Sequence, residues 1–264
     1  MEHNHGVDDR QLYEKIVELF NYRQFPFLYQ LTGEKMEVLD EFNRKLIELQ
    51  ASIYYLDAYL ESSWHIDDQR LASYWLKIAS CLSEFGIDPL GQKNYIKHIL
   101  KYQRHELQLR SGLLPHRLSM EYFYFYKSCD VKLIRRLIYE NFPILNTHMT
   151  LSEWRYFDLI TEVNDDVVDI FEDMSTINCN RFLLSSVDMS KGEVFDLFEN
   201  FFDYIHANNT NLLRKNHVIY QRISELTEFN LKETRLLFYE NYIKFMKLIA
   251  SESPLINYIQ RANG

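Results

Sequence analysis

The stretch TEVNDDVVDIFEDMSTINCNRF, residues 161–182, decides the fold class. Its acidic residues recur at helical spacing, and on a wheel of about 100° per residue they fall within about 120° of arc. This acidic stripe consists of Glu162, Asp165, Asp166, Asp169, Glu172 and Asp173, with Asp158 one turn earlier. Apolar residues take the opposite side, namely Val163, Val167, Val168, Ile170 and Phe171. Such a pattern predicts an amphipathic helix whose acidic face meets either open water or cations.

Helical periodicity continues through almost the whole chain, and only 7 Gly and 5 Pro interrupt its 264 residues. The spacing predicts helices over 8–22, 35–64, 67–85, 91–109, 116–127, 130–141, 150–173, 190–207, 209–226 and 230–251, with a tail helix near 254–262. Asp130, Ser190 and the Thr150–Glu153 capping box mark helix starts. We therefore expect a single all-α domain over residues 1–264, a bundle of about ten helices around a central cavity, with residues 1–8 disordered.

The charge balance excludes some partners. The net charge is −9, and phosphate contacts with nucleic acid or anionic lipid are made mainly by basic side chains. No apolar run reaches about 18 residues, so we expect no stable membrane insertion. The 3 cysteines are odd in number and lack metal-ligand spacing, which indicates a reducing, cytoplasmic environment. The sequence leaves a homodimer open.

A second acidic pair lies in YYLDAYLESSW, where Asp57 and Glu61 are one helical turn apart among aromatic residues. The neighbouring Tyr54 and Trp64 project from the same face, so the pair is expected to line a pocket. Two acidic helices that face each other form a site for a hard cation. Mg²⁺ takes oxygen ligands, typically one or two carboxylates together with waters and substrate phosphates.

A basic segment, FYKSCDVKLIRRLIYENF, precedes the acidic helix. It contains Lys127 and Ser128 just before the predicted cap at Asp130, and Arg135 and Arg136 within the following helix. Free backbone N–H groups at a helix start favour anions, and arginine binds phosphate oxygens in a bidentate manner. The segment therefore predicts a phosphate-binding partner for the acidic helix, although an amphipathic surface helix explains it equally.

These motifs resemble those of a known superfamily. NDDVVD is similar to the aspartate-rich DDxxD motif of class I isoprenoid synthases, the all-α terpene cyclases and prenyl diphosphate synthases. The longer VNDDVVDIFEDMSTINCNRF resembles the second aspartate-rich motif of squalene and phytoene synthases and of large bacterial terpene synthases, and LDAYLESS resembles the first. The likeness covers roughly residues 40–215.

The resemblance implies a terpene synthase that ionises an allylic prenyl diphosphate with Mg²⁺, or with Mn²⁺, and releases diphosphate. It implies metal ligands at Asp57, Glu61, Asp165, Asp166, Asp169, Glu172 and Asp173. Asp165, Asp169 and Arg181 would be catalytic, and the diphosphate would meet Lys127, Ser128, Arg135, Arg136 and Arg181. The wall of the carbocation cavity would include Tyr54, Tyr55, Phe123, Tyr124 and Phe157.

Two other functions stay open on these residues. A prenyl transferase would condense chains on the same fold, and a helical protein-interaction module would need no metal at all. A di-iron bundle is disfavoured, because the nearest approach to its Glu-x-x-His motif is Asp203-x-x-His206. A serine hydrolase is disfavoured as well, since the chain contains no G-x-S-x-G.

Overall fold

The structure is a computed structural model that describes residues 9–111, 117–213, 218–245, 247 and 256–257. Regular structure within these ranges is helical, with no strand, so the all-α prediction is confirmed. None of the helices in these ranges is long and apolar enough to cross a membrane. The predicted disorder of residues 1–8 and most of the predicted helix at 254–262 lie outside the described residues.

The helices have the following bounds in chain order: α1 Asp9–Tyr22, α2 Phe25–Gln30, α3 Met36–Ser62, α4 Asp68–Ser83, α5 Pro89–Leu109, α6 Met120–Lys127, α7 Cys129–Asn141, α8 Leu145–His148, α9 Arg155–Val168, α10 Ile170–Asp173, α11 Arg181–Ser185, α12 Lys191–Leu213 and α13 Val218–Phe245. A 3-10 turn, Leu151–Trp154, precedes α9.

Contacts between residues divide the chain into two compact units that interleave along the sequence. Unit 1 comprises residues up to 59, 66–96 and 130–145, and unit 2 comprises 60–65, 97–129 and the chain from 146 onward. One domain over the whole chain stays a prediction.

The core of unit 1 contains aromatic rings that pack edge-to-face. The ring of Phe42 on α3 lies 5.5 Å from Phe85 and 4.9 Å from Phe142, both in edge-to-face geometry. Phe20 of α1 and Phe25 of α2 meet at 5.1 Å in the same manner. Rings at these distances add about 0.5–1.5 kcal/mol per pair beyond their buried area. The helix α2 was not predicted, because it is short and begins after Gln24, whose φ of 63° is left-handed.

Unit 2 is organised around α9, which packs against α13, α12 and α6. Its core contains a cluster of phenylalanines from α11, α12 and α13: the ring of Phe182 lies 5.5 Å from Phe198 and 5.7 Å from Phe238. Phe198 and Phe238 stack at 5.1 Å. This packing fixes the buried face of α9 and thereby determines which of its acidic side chains are exposed.

The predicted acidic helix is present but not continuous. Residues 150–173 form a 3-10 turn, α9 and α10, and the α9 helix ends at Val168 with Asp169 between the two helices. Because of this break, Val168 and Phe171 are 50% and 39% exposed, although the wheel assigned them to the apolar side. Thr150 does begin the segment, where its N–H donates to Glu153 Oε2 at 2.7 Å.

The predicted boundaries near 207–209 and 226–230 are wrong, because α12 and α13 both run through them. Neither position contains Gly or Pro. Asn209, near the first of these positions, is buried and donates to Ser224 O at 3.0 Å and Glu228 Oε1 at 2.7 Å, so tertiary contacts satisfy its side chain. Thr227 donates to Ile223 O at 2.7 Å within the helix.

Candidate functional site

A buried lysine lies at the centre of the candidate site, all of which belongs to unit 2. Lys127 ends α6, its side chain is 9% exposed, and its Nζ donates to Oδ1 of the fully buried Asp166 on α9. Burial by itself lowers the pKa of this ammonium, but the carboxylates of Asp166, Asp165 and Asp173 outweigh it and place the pKa well above its ordinary value. Lys127 is therefore a permanent cation.

The acidic side chains whose charges interact around this lysine form what we call the acid cluster: Glu61, Glu106, Asp165, Asp166, Asp169 and Asp173. They come from α3, α5, α9, α10 and the residue between the last two. Five of them belong to the predicted metal set, and Glu106 was not predicted.

Asp166 is fixed by contacts on both oxygens. Besides Lys127, its carboxylate accepts a hydrogen bond from Tyr124 Oη at 2.9 Å and from the Arg181 N–H at 2.7 Å, both at Oδ2. Burial raises the pKa of Asp166 to about 6, and the charge and hydrogen bond of Lys127 keep it from rising further. The residue is a structural anchor between α6, α9 and α11.

Asp173 is fixed by the polar loop that the sequence placed after the acidic helix. Asn178 Nδ2 donates to its Oδ1 at 2.9 Å, and Asn180 Nδ2 donates to its Oδ2 at 2.8 Å. The same Asn180 amide also reaches Asp166 O at 2.7 Å, while its Oδ1 caps α11. Burial raises the pKa of Asp173, and both asparagines oppose that shift. These asparagines were noticed as a polar break, but nothing in the sequence assigned them to particular carboxylates.

Glu61 and Glu106 form a second pair of buried acids in the acid cluster. Burial, then the charge of Glu106, raises the pKa of Glu61 to about 8. Burial raises the pKa of Glu106, which is 3% exposed, to about 7, and the charges of Lys127 and Arg110 limit the shift. The pKa values of both groups thus lie close to neutral pH, a shift that is common for acids at functional sites. A wheel of α5 could have found Glu106, because it interrupts the buried stripe that Tyr102 and Leu109 belong to.

Backbone contacts hold the end of α3 beside this pair. Arg110 donates from Nη2 to Leu60 O and to Ser63 O, the second at 2.8 Å. The Ile177 N–H donates to the carbonyl of Glu61 at 2.9 Å. Ile177 in the loop after α10 and Arg110, the residue that follows α5, thus both hold the segment that carries the Glu61 side chain.

Three acidic residues of the predicted stripe remain accessible. Asp165 and Glu172 are exposed, and Asp169 is half-buried between α9 and α10. Burial, followed by the charges of Asp165, Asp173 and Glu172, raises the pKa of Asp169 to about 6. Asp165 and Asp169 are one helical turn apart, so they form an open, mutually repelling pair.

Arg181 adds a second buried cation. It is 3% exposed, and its Nε and Nη1 atoms have no hydrogen-bond partner among the described residues. Its guanidinium lies 5.4 Å from the centre of the Phe123 ring, and burial lowers the pKa of the group to about 10. One turn later on α11, the fully buried Ser185 Oγ also has no partner in the described part of the chain. Buried polar groups rarely stay unsatisfied.

The predicted set of seven metal ligands is not assembled. Within the described ranges, no three Asp, Glu, His or Cys side chains are grouped so that they could hold a metal ion. The physical reason is that Asp166 and Asp173 are engaged by groups of the chain itself. The accessible pair, Asp165 and Asp169, still fits the one or two protein carboxylates that Mg²⁺ commonly uses.

No family model, curated protein or solved structure matches this chain. The likeness to class I isoprenoid synthases consequently rests on the motifs alone.

The other predicted phosphate ligands have different surroundings. Ser128 is buried, and its Oγ donates to Phe125 O at 3.4 Å. The two arginines of α7 belong to unit 1 and point in different directions. Arg135 is buried, with its guanidinium 5.1 Å from the Phe25 ring centre, whereas Arg136 is at the surface and donates to Glu140 Oε1 at 2.6 Å.

The predicted cavity wall is distributed over both units. Phe123, Tyr124 and Phe157 are fully buried in unit 2, and the first two contact Arg181 and Asp166 as described above. Phe157 packs edge-to-face on Trp154 at 5.8 Å. In unit 1 lie Tyr54, which is half-buried under Lys15 Nζ at 5.7 Å, and Tyr55, which is 41% exposed. Asp57 also belongs to unit 1 and is half-buried.

Proposed function

We propose that unit 2 contains the active site of an enzyme that ionises an allylic prenyl diphosphate with the help of Mg²⁺ or Mn²⁺. The observation that carries the proposal is Arg181, whose buried guanidinium has two N–H groups without a partner among the described residues. Asp166 and Asp188 supply negative charge near this guanidinium but no hydrogen bond to these two nitrogens. A diphosphate oxygen would satisfy the donors.

The open pair of Asp165 and Asp169 supports the same chemistry. Asp165 and Asp169 would hold the metal, because they are accessible and their repulsion, seen in the raised pKa of Asp169, is relieved by a cation. The bound metal would stabilise the negative charge of the departing diphosphate. Water and phosphate oxygens would complete its coordination shell.

The remaining groups have supporting tasks in this proposal. Lys127 and Asp166 form a fixed ion pair that joins α6 to α9, so the helix carrying Asp165 is held in place before substrate arrives. Phe123 offers its face to Arg181 and restricts water on that side of the guanidinium. Whether the allylic cation then cyclises, loses a proton or condenses depends on the hydrocarbon part of the site, so a lyase and a prenyl transferase are both compatible with these residues.

The test is an assay of diphosphate release from C10 to C25 prenyl diphosphates, with and without Mg²⁺ and with and without isopentenyl diphosphate as acceptor. We expect metal-dependent release by the wild type, and about a 100-fold lower kcat for Arg181→Gln, comparable to the removal of one charge-stabilising donor. Product analysis separates the lyase from the transferase.

The matched control is Arg155→Gln, because Arg155 is a surface arginine of unit 2 that pairs with Glu121 at 2.6 Å. It should retain activity. Melting temperatures with Mg²⁺ and inorganic pyrophosphate provide a second measurement that needs no turnover: the ligands should stabilise the wild type but not Arg181→Gln. A wild type that neither turns over any prenyl diphosphate nor responds to Mg²⁺–pyrophosphate would be a helical interaction module instead.

A further inference from the structure

Unit 1 contains a cavity of its own, and its lining has fewer charged residues than the acid cluster. Its volume is about 400 Å³, which is within the usual range for a small-molecule site. It lies between the C-terminal half of α1, the short helix α2 and the first turns of α3. Gly33, with a φ of +72°, turns the chain along its edge, and a Cβ at that position would meet no atom within 4 Å.

The interior of this cavity is apolar. Phe20 and Leu39, which are 3% and 7% exposed, form part of the lining together with Val17 and Pro26. Met36, which is 67% exposed, stands at the rim. Methionine side chains are flexible and pack well on aromatic groups. The cavity therefore suits a ligand with an apolar, preferably aromatic, body.

The charged residues of its lining, Glu34 and Asp40, are both negative, and the other polar groups are Tyr29 and the side-chain amides of Asn21, Gln30 and Asn43. Tyr29 donates its single hydroxyl hydrogen to Asn43 Oδ1 at 3.0 Å, so the lone pairs of the hydroxyl remain to accept. Glu34 and Asp40 line the cavity and form no ion pair with a described cation, and neither Lys nor Arg is among the lining residues. A donor with positive charge matches this set, whereas a carboxylate or phosphate does not.

We propose that this cavity binds an organic primary amine with an apolar body, such as an arylalkylammonium. The ammonium group donates to Tyr29 Oη and lies near Asp40 and Glu34, while the body of the amine packs on Phe20 and Leu39. This inference is independent of the prenyl diphosphate proposal, since every residue in it belongs to unit 1.

The test compares three ligands of similar size by isothermal titration: tryptamine as the cation, tryptophol as the neutral alcohol and indole-3-propionate as the anion. Two exposed carboxylates near an ammonium contribute about 1 kcal/mol or slightly more, so tryptamine should bind about tenfold tighter than tryptophol. Indole-3-propionate should bind more weakly than either. Equal binding of the three, or no binding of tryptamine, would overturn the proposal.

Variants separate the cavity from the general negative charge of the protein. Asp40→Asn and Glu34→Gln should each weaken tryptamine several-fold and leave tryptophol unchanged. The matched control is Glu37→Gln, an exposed glutamate of the same helix that does not line the cavity, and it should bind like the wild type. Asn21→Trp should fill the cavity and abolish binding of both ligands without a change of charge, since Asn21 is an exposed lining residue. If Glu37→Gln weakens tryptamine as much as Asp40→Asn does, the effect is one of overall charge and the assignment is wrong.

Discussion

The buried acids of the acid cluster form two halves, Asp166 with Asp173 and Glu61 with Glu106, and the fold holds these halves differently. Asp166 and Asp173 receive hydrogen bonds at 2.7–2.9 Å from Tyr124, the Arg181 backbone and two asparagines. For Glu61 and Glu106, burial is opposed by the charges of neighbouring cations. The pKa is accordingly about 6 for Asp166 but about 8 for Glu61 and about 7 for Glu106. Hydrogen bonds from the chain oppose the effect of burial on Asp166 and Asp173, whereas only charges oppose it on Glu106.

The largest effect on stability is expected when Lys127, the cation that pairs with Asp166, is replaced. Lys127→Met should lower the free energy of unfolding at pH 8 by about 3–5 kcal/mol, because Asp166 is then a buried charge without its partner. The loss should shrink as pH falls from 8 toward 6, because Asp166, whose pKa is about 6 with the lysine present, takes up a proton at a higher pH once the lysine is gone. Denaturant unfolding across this pH range measures both quantities. Lys232→Met, at an exposed position of α13, is the control and should change stability by less than about 0.5 kcal/mol. A loss that is independent of pH would show that packing, and not charge, explains the effect.

In the second half, replacing an acid by a neutral residue should have the opposite effect: the variant should become more stable than the wild type as the pH rises. Glu106 has a folded-state pKa of about 7 against 4.5 for an unperturbed glutamate, so between these values the native state keeps a proton that the unfolded chain has released. The contribution of Glu106 to the free energy of unfolding of the wild type is therefore fully present below pH 4.5. It falls as the pH rises and is lost above pH 7. Glu106→Gln imitates the protonated form and should gain about 3 kcal/mol over the wild type between pH 4 and pH 9.

Thermal melts at these pH values check the gain. Glu240→Gln, which removes an exposed acid from α13, is the matched control and should show no such trend. If Glu106→Gln is destabilising by the same amount at every pH, the carboxylate is ionised in the native state, and the contrast between the two halves disappears.

The smallest effect concerns a single hydrogen bond of the first half. Asn178→Ala should cost about 1 kcal/mol, the usual net value of such a bond. The bond lowers the pKa of Asp173, so the cost should be larger at pH 8 than at pH 4, where the carboxyl is closer to neutral. Asn211→Ala, on the exposed side of α12, serves as the control. A pH-independent cost equal to that control would remove Asn178 from the set of groups that keep Asp173 charged.

Local chemistry made much of the fold predictable. Periodicity and the rarity of Gly and Pro gave the helical class, and the capping box at Thr150 marks the start of the acidic segment in the structure as in the sequence. The spacing also identified the acidic face of α9. What it could not supply is the burial of each residue: Asp165 is exposed and Asp166 fully buried, although they are neighbours.

The remaining errors share a cause, which is contact between distant segments. Asn209 lies at a predicted helix boundary, but α12 continues through it and Ser224 and Glu228 satisfy its amide. Glu106 was not predicted as a site residue, and it is the packing of α5 that buries it. The metal set looked complete on a wheel, but Lys127, Tyr124 and the asparagines engage two of its members. Side-chain pairings of this kind depend on tertiary structure, and a single sequence does not contain them explicitly.

The hydrogen bonds that hold the end of α3 limit how Glu61 can relieve the repulsion from its acidic neighbours. Helix ends usually fray, because their last four carbonyls lack partners in the helix, and fraying lets crowded charges move apart. Here the Arg110 guanidinium binds Leu60 O, and the Ile177 amide binds Glu61 O. The terminal turn is thereby clamped, so Glu61 cannot escape its acidic neighbours by local unwinding. Glu61 can therefore be neutralised by a proton or by a cation. The two hydrogen bonds to the α3 backbone make rigid a helix end that is usually flexible, and they keep the repelling carboxylates close together.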